Sequence, residues 1–374
     1  MDENYSEKRT IGRYIILLLL VVALFAGWSV FWYIASGKVE ATIEGWRARE
    51  AQGGRLYTCG SQTIGGYPFR FELNCDDASA LFKSSQPPFD VKSRGVLVVA
   101  QVYEPTLLIG EFHGPLTISS PGQAPEVIVN WKLAQSSLRG TPSEPERMSV
   151  AVDLPVVEGV SGGVQKTLWK ARRFELHGRI AEGSVRDHPV IETVLRLGGA
   201  TAEALHPGAA MPVDADITAV LRGLNDFAPK SWDARFREIQ ASGGGIEVTQ
   251  MRLVQGESLA VGSGTVTVNA NGRLDGQLQV TVAGLEAFLN AIGAQQMVQQ
   301  APGMDRLAGA LDRLSPGLGG VARQQAAANL GLGINMLGQQ TTLEGKRAVT
   351  LPLKFTDGAI YLGPIPVGKM PAMF

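Results

Sequence analysis

Cys59 and Cys75, the only two cysteines, enclose an interval of 15 residues that carries three aromatic rings. In an oxidising compartment they pair as a disulfide. Closing a loop of that length stabilises a fold by about 3 kcal/mol, mainly by restricting the unfolded chain. A catalytic thiol or a metal pair would call for CxxC spacing or a nearby histidine, and neither is present. The four histidines, His113, His177, His188 and His206, are scattered, with no HExxH and no pair at i and i+4, so no metal centre is expected. Residues 159–167 (GVSGGVQKT) loosely suggest a phosphate loop, but no glycine precedes Lys166 and the spacing fails. Asp76-Asp77 and Asp214 with Asp216 read as turn or cap residues without a recognisable partner. No catalytic residue, cofactor or metal ligand is therefore assigned, and the chain is not expected to be an enzyme.

The elements that hold these residues start at the membrane. Residues 15–34 (IILLLLVVALFAGWSVFWYI) carry no charge over twenty positions, enough at about 1.5 Å per residue to cross a hydrocarbon core of roughly 30 Å. Trp28, Trp32 and Tyr33 cluster toward one end, and Lys8, Arg9 and Arg13 precede the run, which favours a cytoplasmic tail at 1–14 and export of the chain beyond residue 34. Ala35-Ser36-Gly37 imitates a cleavage site, but the run exceeds the roughly 7–15 residues of a signal-peptide core, so the helix is expected to stay. The expected location is the inner membrane, single-pass, with a periplasmic C-terminal portion. Net charge is −1, from 34 basic and 35 acidic residues, so nothing draws the chain to nucleic acid.

Forty-five glycines and only 18% charged residues suit a β-rich chain with many turns. An amphipathic helix is expected over 38–53, from Val39, Ile43 and Trp46. Strand patterns occur at 96–103, 107–112, 115–119, 126–133, 148–154, 174–180 and 191–197. Runs such as LVVA and LLIG are apolar on both sides, so part of the sheet is either covered twice or open to an apolar ligand. Residues 198–212, rich in Ala, Gly and Pro, mark the nearest approach to a boundary between 35–205 and 206–374, which can equally form one continuous domain. The second part shows a helix over 229–242, with Trp232, Phe236 and Ile239 on one side, and hairpin signals at Asn271-Gly272 and Asp357-Gly358. Between them lies a helical block over 285–337 with stripes Leu285, Phe288, Leu289, Ile292, then Leu307, Leu311, Leu314, then Ala326, Leu330, Ile334, Leu337. The expected class is α+β and β-rich: an N-terminal transmembrane helix, then a mainly antiparallel sheet domain with helices packed on it.

The helix with its Gly45-Trp46 pair, the segment IGGYPFRFELNC over 64–75 and the closing LPLKFTDGAIYLGPIPVG over 351–368 resemble a bacterial family described as domain of unknown function 2125. The resemblance covers almost the whole exported part, and the family carries no established activity. In layout the chain is also similar to the AsmA and TamB class of envelope proteins, whose anchored β-rich grooves imply a lipid ligand. The expectation is a nonenzymatic envelope protein that takes phospholipid or another envelope lipid into a sheet groove, each buried methylene contributing about 0.8 kcal/mol. Tyr67, Phe69 and Phe71, with Leu285, Phe288, Leu289 and Ile292, are the candidate lining. The alternative is a scaffold that offers the same surfaces to envelope proteins.

Overall fold

The computed structural model describes residues 3–140, 144–204, 207–228, 230–291, 312–313, 320, 324, 338–363 and 365–374. Its first element is α1 (Glu3–Gln52), one helix of 50 residues. This corrects the expectation of a membrane helix succeeded by a separate helix over 38–53. Gly37 is the weak position at the junction, and one interior glycine costs only about 1 kcal/mol, too little to end a helix with good formers on both sides. Ala35-Ser36-Gly37 is part of the same helix. Leu17, Leu18, Leu19 and Leu20 are each more than 60% exposed, and α1 is long and apolar enough to cross a membrane.

The described residues after α1 build one antiparallel sheet of 20 strands, with helices α2 (Trp232–Ala241) and α3 (Leu285–Ala291). β1 (Arg55–Thr58) and β2 (Ser61–Gly65) line the outer edge of β3 (Arg70–Phe82), which pairs with β4 (Phe89–Gln101), and β4 with β5 (Glu104–Ser119). Three strands with a break in the middle come next. They are β6 (Val127–Asn130) with β7 (Leu133–Arg139), β8 (Arg147–Asp153) with β9 (Val156–Ser161), and β10 (Val164–Lys170) with β11 (Arg173–Ser184). β5 pairs with β6 and β7, β7 with β8, β6 with β9, β9 with β10 and β8 with β11, so each broken pair runs as a single strand of the meander. It continues through β12 (Asp187–Ala200), β13 (Val213–Arg222), β14 (Gly245–Gln255), β15 (Ser258–Val268) and β16 (Leu274–Ala283). β18 (Lys346–Thr356) pairs with β16; β17 (Gln339–Leu343) and β19 (Ala359–Leu362) line its other edge, and β20 (Ile365–Lys369) pairs with β19. β12 and β13, on either side of the loop 201–212, pair from Ile191 opposite Leu221 to Ala200 opposite Val213, so hydrogen bonding crosses that loop.

Two strand expectations change. The runs at 107–112 and 115–119 are one strand, β5, and the run at 126–133 is bent at Trp131-Lys132. The cause is a line of irregular residues that sit side by side in neighbouring strands: Asp77, Arg94, Gly114-Pro115, Trp131-Lys132, Leu154-Pro155, Ala171-Arg172 and Gly198-Gly199. Backbone bonds stitch the line together: the Lys132 N–H donates to the Asp153 carbonyl, Leu154 to Arg172, and Arg172 to Gly198. Bulges bend a strand and raise its twist; here the irregular residues line up across seven neighbouring strands as one crease of interrupted pairing.

The packed core lies at the C-terminal end, where Leu285 and Leu289 of α3 meet Ala260, Val280, Val282, Val349, Leu351 and Leu362. Asp357-Gly358 turns the β18–β19 hairpin with φ of 47° and 78°, the positive pair that a type I′ turn requires. α2 starts at Trp232 rather than 229; its Ile239 is buried at 5% exposure while Trp232 is 79% exposed. The stripes at Leu307, Leu311 and Leu314 and at Ala326, Leu330, Ile334 and Leu337 lie outside the described residues, as does Ile292.

Candidate ligand-binding face

Cys59 and Cys75 are joined, their Cα atoms 5.3 Å apart, and the Arg47 Nη2 donates to the Cys59 sulfur at 3.1 Å. The bridge ties the β1–β2 link to β3, at the edge beside α1. His113, His177 and His188 each lie near one carboxylate, of Glu111, Glu175 and Asp187 respectively. His206 lies outside the described residues. Among the described residues no three His, Cys, Asp or Glu side chains gather as metal ligands. Residues 159–163 also spell G-x-S-x-G, a nucleophile motif missed when the run is read only as a phosphate loop. Ser161 ends β9 in the β9–β10 hairpin, whereas the nucleophile of that motif needs a strand-to-helix turn. Asp214 accepts the Gly199 N–H at 2.7 Å, a structural role beside the crease.

The extended feature is the sheet itself. Directly paired residues of antiparallel strands point to the same side, so the register can be followed across the molecule. One row runs Leu73, Val98, Gly110, Ser136, Val150, Leu176, Leu195, Ile217, Met251, Gly262, Val280, Leu351. All but Gly110, Ser136 and Gly262 are large and apolar. A parallel row two residues along each strand contains Cys75, Val96, Phe112, Val152, Phe174, Leu197, Leu253 and Val282. One side of the sheet is therefore apolar from β3 to β18.

The row between them points the other way: Asn74, Leu97, Glu111, Gln135, Ala151, Glu175, Arg196, Asp216 and Arg252. Arg196 pairs with Asp216 at 3.2 Å, Arg179 with Glu192 at 2.6 Å, and Arg173 with both Asp153 and Glu175. The Arg173 guanidinium holds the Glu175 carboxyl below its ordinary value, against the partial burial that would raise it. Partly exposed pairs of this kind contribute little stability. Their consequence is that this side carries most of the sheet's charge, in contrast to the apolar side.

Burial divides the apolar side in two. Over β15 to β18 it is closed: Val280 and Val349 are 3% exposed and Leu351 1%. Over β3 to β12 its large side chains, among them Leu73, Val98, Phe112, Val150, Leu176 and Leu195, are only half-buried, and Met148 is 44% exposed. Among the described residues, the helices make their main contacts with β1, β2 and β15. From β3 to β14 the row crosses nine strands, about 38 Å at roughly 4.8 Å between neighbours, more than twice the ~15 Å of one leaflet's hydrocarbon.

The predicted lining residues fall in two places that the fold does not bring together. Phe71 starts the apolar side on β3 and stacks on Trp32 of α1, ring centroids 5.8 Å apart. Tyr67 and Phe69, in the β2–β3 turn, lie against Phe25, Trp28 and Trp32 of the same helix. Leu285 and Leu289 are 6% and 3% exposed within the protein core, and Phe288 packs against that core. The residues not singled out in the sequence are the half-buried ones of the middle strands, above all Val150, Leu176, Leu195 and Ile217. The period-two alternation around Leu176 and Leu195 is visible in FELHGRI and IETVLRL; that all four share one side requires the register.

The family model described as "Uncharacterized protein conserved in bacteria (DUF2125)" matches residues 32–371. No curated protein matches the chain.

Proposed function

The chain belongs to the bacterial DUF2125 family, and we propose that it is a nonenzymatic envelope protein, anchored by α1, whose sheet takes the acyl chains of a phospholipid or other envelope lipid along its apolar side. One observation carries this reading: the strand register places an apolar row, interrupted only at Gly110 and Ser136, across the half-buried part of the sheet while the opposite row is mostly charged and polar. A lipid on that row removes apolar surface of both partners from water, at about 0.8 kcal/mol per buried methylene. Periplasmic placement with a cytoplasmic N-terminus belongs to the reading, supported by Lys8, Arg9 and Arg13 before the apolar run and by the Cys59–Cys75 disulfide.

The test uses side-chain alternation as its own control. A photoreactive benzophenone residue is placed at Leu176 or Leu195, on the apolar row, or at Val194 or Thr218, on the opposite side, in the full chain made by bacteria fed radioactive phosphate. Irradiation is expected to label the chain with phospholipid at Leu176 and Leu195 and not at Val194 and Thr218. Equal labelling on both sides, or none, overturns the reading. Crosslinks from Leu176 and Leu195 to another protein would replace it with the scaffold.

A further inference from the structure

The ectodomain touches α1 within the apolar run rather than after it. The Trp28 indole N–H donates to the Pro68 carbonyl at 2.9 Å, the Trp32 indole N–H to the Arg70 carbonyl at 3.1 Å, and the Ser29 and Tyr67 hydroxyls share a hydrogen bond of 2.7 Å. Phe25 meets the Tyr67 ring edge-on at 6.3 Å. At a rise of 1.5 Å per residue, helix positions 25 to 32 lie about 3 to 14 Å inside the end of the run at Ile34. The run cannot slide the other way to clear them. Moving it ten residues toward the N-terminus would carry Lys8, Arg9 and Arg13 into the hydrocarbon, at roughly 2.5–3.5 kcal/mol for each charge near the centre.

We infer that the β2–β3 turn, residues 66–69, together with Tyr103 of the β4–β5 turn, is seated in the membrane leaflet on the sheet's side. Val102 donates to the Phe69 carbonyl at 3.0 Å, which sets Tyr103 beside Phe69, and these two rings are 77% and 66% exposed. Large rings left open on two adjoining turns match the acyl and headgroup boundary, where amphipathic and aromatic side chains are favoured. The polar atoms of the contact also meet what hydrocarbon demands: both indole N–H groups and the Tyr67 hydroxyl are satisfied inside the protein. Gly66 permits the turn with φ of 95°; a Cβ there would meet the Arg70 carbonyl oxygen at 2.7 Å. The inference rests on the reading of α1 as a membrane span and extends the proposed function: the apolar side begins at Phe71, next to the seated turn, so acyl chains reach the sheet from the leaflet without crossing water.

The measurement is made on the full chain in nanodiscs of phosphatidylethanolamine and phosphatidylglycerol. A nitroxide is attached at Phe69→Cys, Tyr103→Cys or, as reference, Val164→Cys, which is 69% exposed at the opposite end of the strands. No cysteine among the described residues is free, so the label goes to the new thiol. Collisions with oxygen, which partitions into the bilayer, are expected to exceed those with a water-soluble nickel chelate severalfold at positions 69 and 103, and the order to reverse at 164. Nickel reaching 69 and 103 as readily as 164 overturns the seating. If Phe69→Cys loosens the turn, Tyr103→Cys still decides. Phospholipid crosslinks at Leu176 and Leu195 without immersion would sink the seating alone, and immersion without crosslinks would sink the lipid-binding reading alone.

Discussion

The two ends of the apolar side have the same strand alternation and opposite fates. At β15 to β18, α3 lays Leu285 and Leu289 over it, and the residues beneath, Val280, Val282 and Leu351, are lost to solvent almost completely. At β8 to β12, Val150, Leu176 and Leu195 sit on the same row and stay half-buried. A sheet with one apolar face needs a second layer to bury it; one end receives that layer from the chain itself, and the other presents the surface that a ligand would complete. Burial thereby changes along a single row of side chains.

The sharpest way to break this comparison is truncation at both ends. Leu351→Ala is expected to cost about 2–5 kcal/mol, the range for a large-to-small change in a packed core, whereas Leu195→Ala should cost less than about 1.5 kcal/mol because less surface is buried there. Urea denaturation of the two variants decides; equal losses would mean that the open end is as tightly covered as the closed one.

Replacing both Cys59 and Cys75 by Ser comes next, at about 3 kcal/mol in the loop-entropy treatment. The loosening seen by amide exchange should be largest at β1 to β3 and absent at β16 and β18, since the bridge spans only the edge beside α1. Uniform loosening would show that the two ends unfold as one unit.

A third test contrasts α2 with α3 through pH. Burial would push the Glu238 carboxyl up, but the Lys230 ammonium at 2.8 Å, the Asn225 amide and the Arg235 guanidinium outweigh it and hold it below its ordinary value. Lys230 also holds Asp226 low, with the Ala228 amide and Arg235 adding to the effect. Carboxyls depressed in the folded state stabilise it fully above their unfolded values near 4, and that contribution fades as pH falls through the folded values. Amide exchange in α2 should therefore accelerate as pH drops from about 5 toward 3 after correction for intrinsic rates, more so than in α3, whose contacts through Leu285 and Leu289 carry no charge. Glu238→Gln should flatten the dependence; an unchanged profile would assign the effect elsewhere.

The smallest expected effect is on the polar side. Asp216→Asn breaks the exposed pair with Arg196 and should change stability by less than about 1 kcal/mol, with phospholipid crosslinking at Leu195 unaltered. A large loss in either would contradict the division of labour between the two sides.

Much of this was legible in the residues. The apolar run at 15–34 needed only its length and lack of charge, the disulfide only two cysteines and a spacing, and the β18–β19 turn only Asp357-Gly358, because each of these signals is local. The boundary of α1 shows where local signals fail: an apolar run over 15–34 and an amphipathic pattern over 38–53 read as two helices, yet one helix carries through Gly37. The candidate lining residues illustrate the limit. Phe69 and Leu289 stand out in sequence as large apolar groups in apolar surroundings, but one packs beside α1 and the other fills the core, while the less conspicuous Leu176 and Leu195 lie on the half-buried part of the row.

What the sequence alone determined is a membrane-length helix, one pair of cysteines and a succession of strands with two-residue alternation, all set by composition and by contacts between near neighbours. Which strand pairs with which, in what register, and where their irregular residues line up into a crease was decided only by the tertiary structure. Alternation tells each strand that it has an apolar side; only hydrogen bonding between residues far apart in the chain puts those sides together and leaves part of the resulting face half-buried.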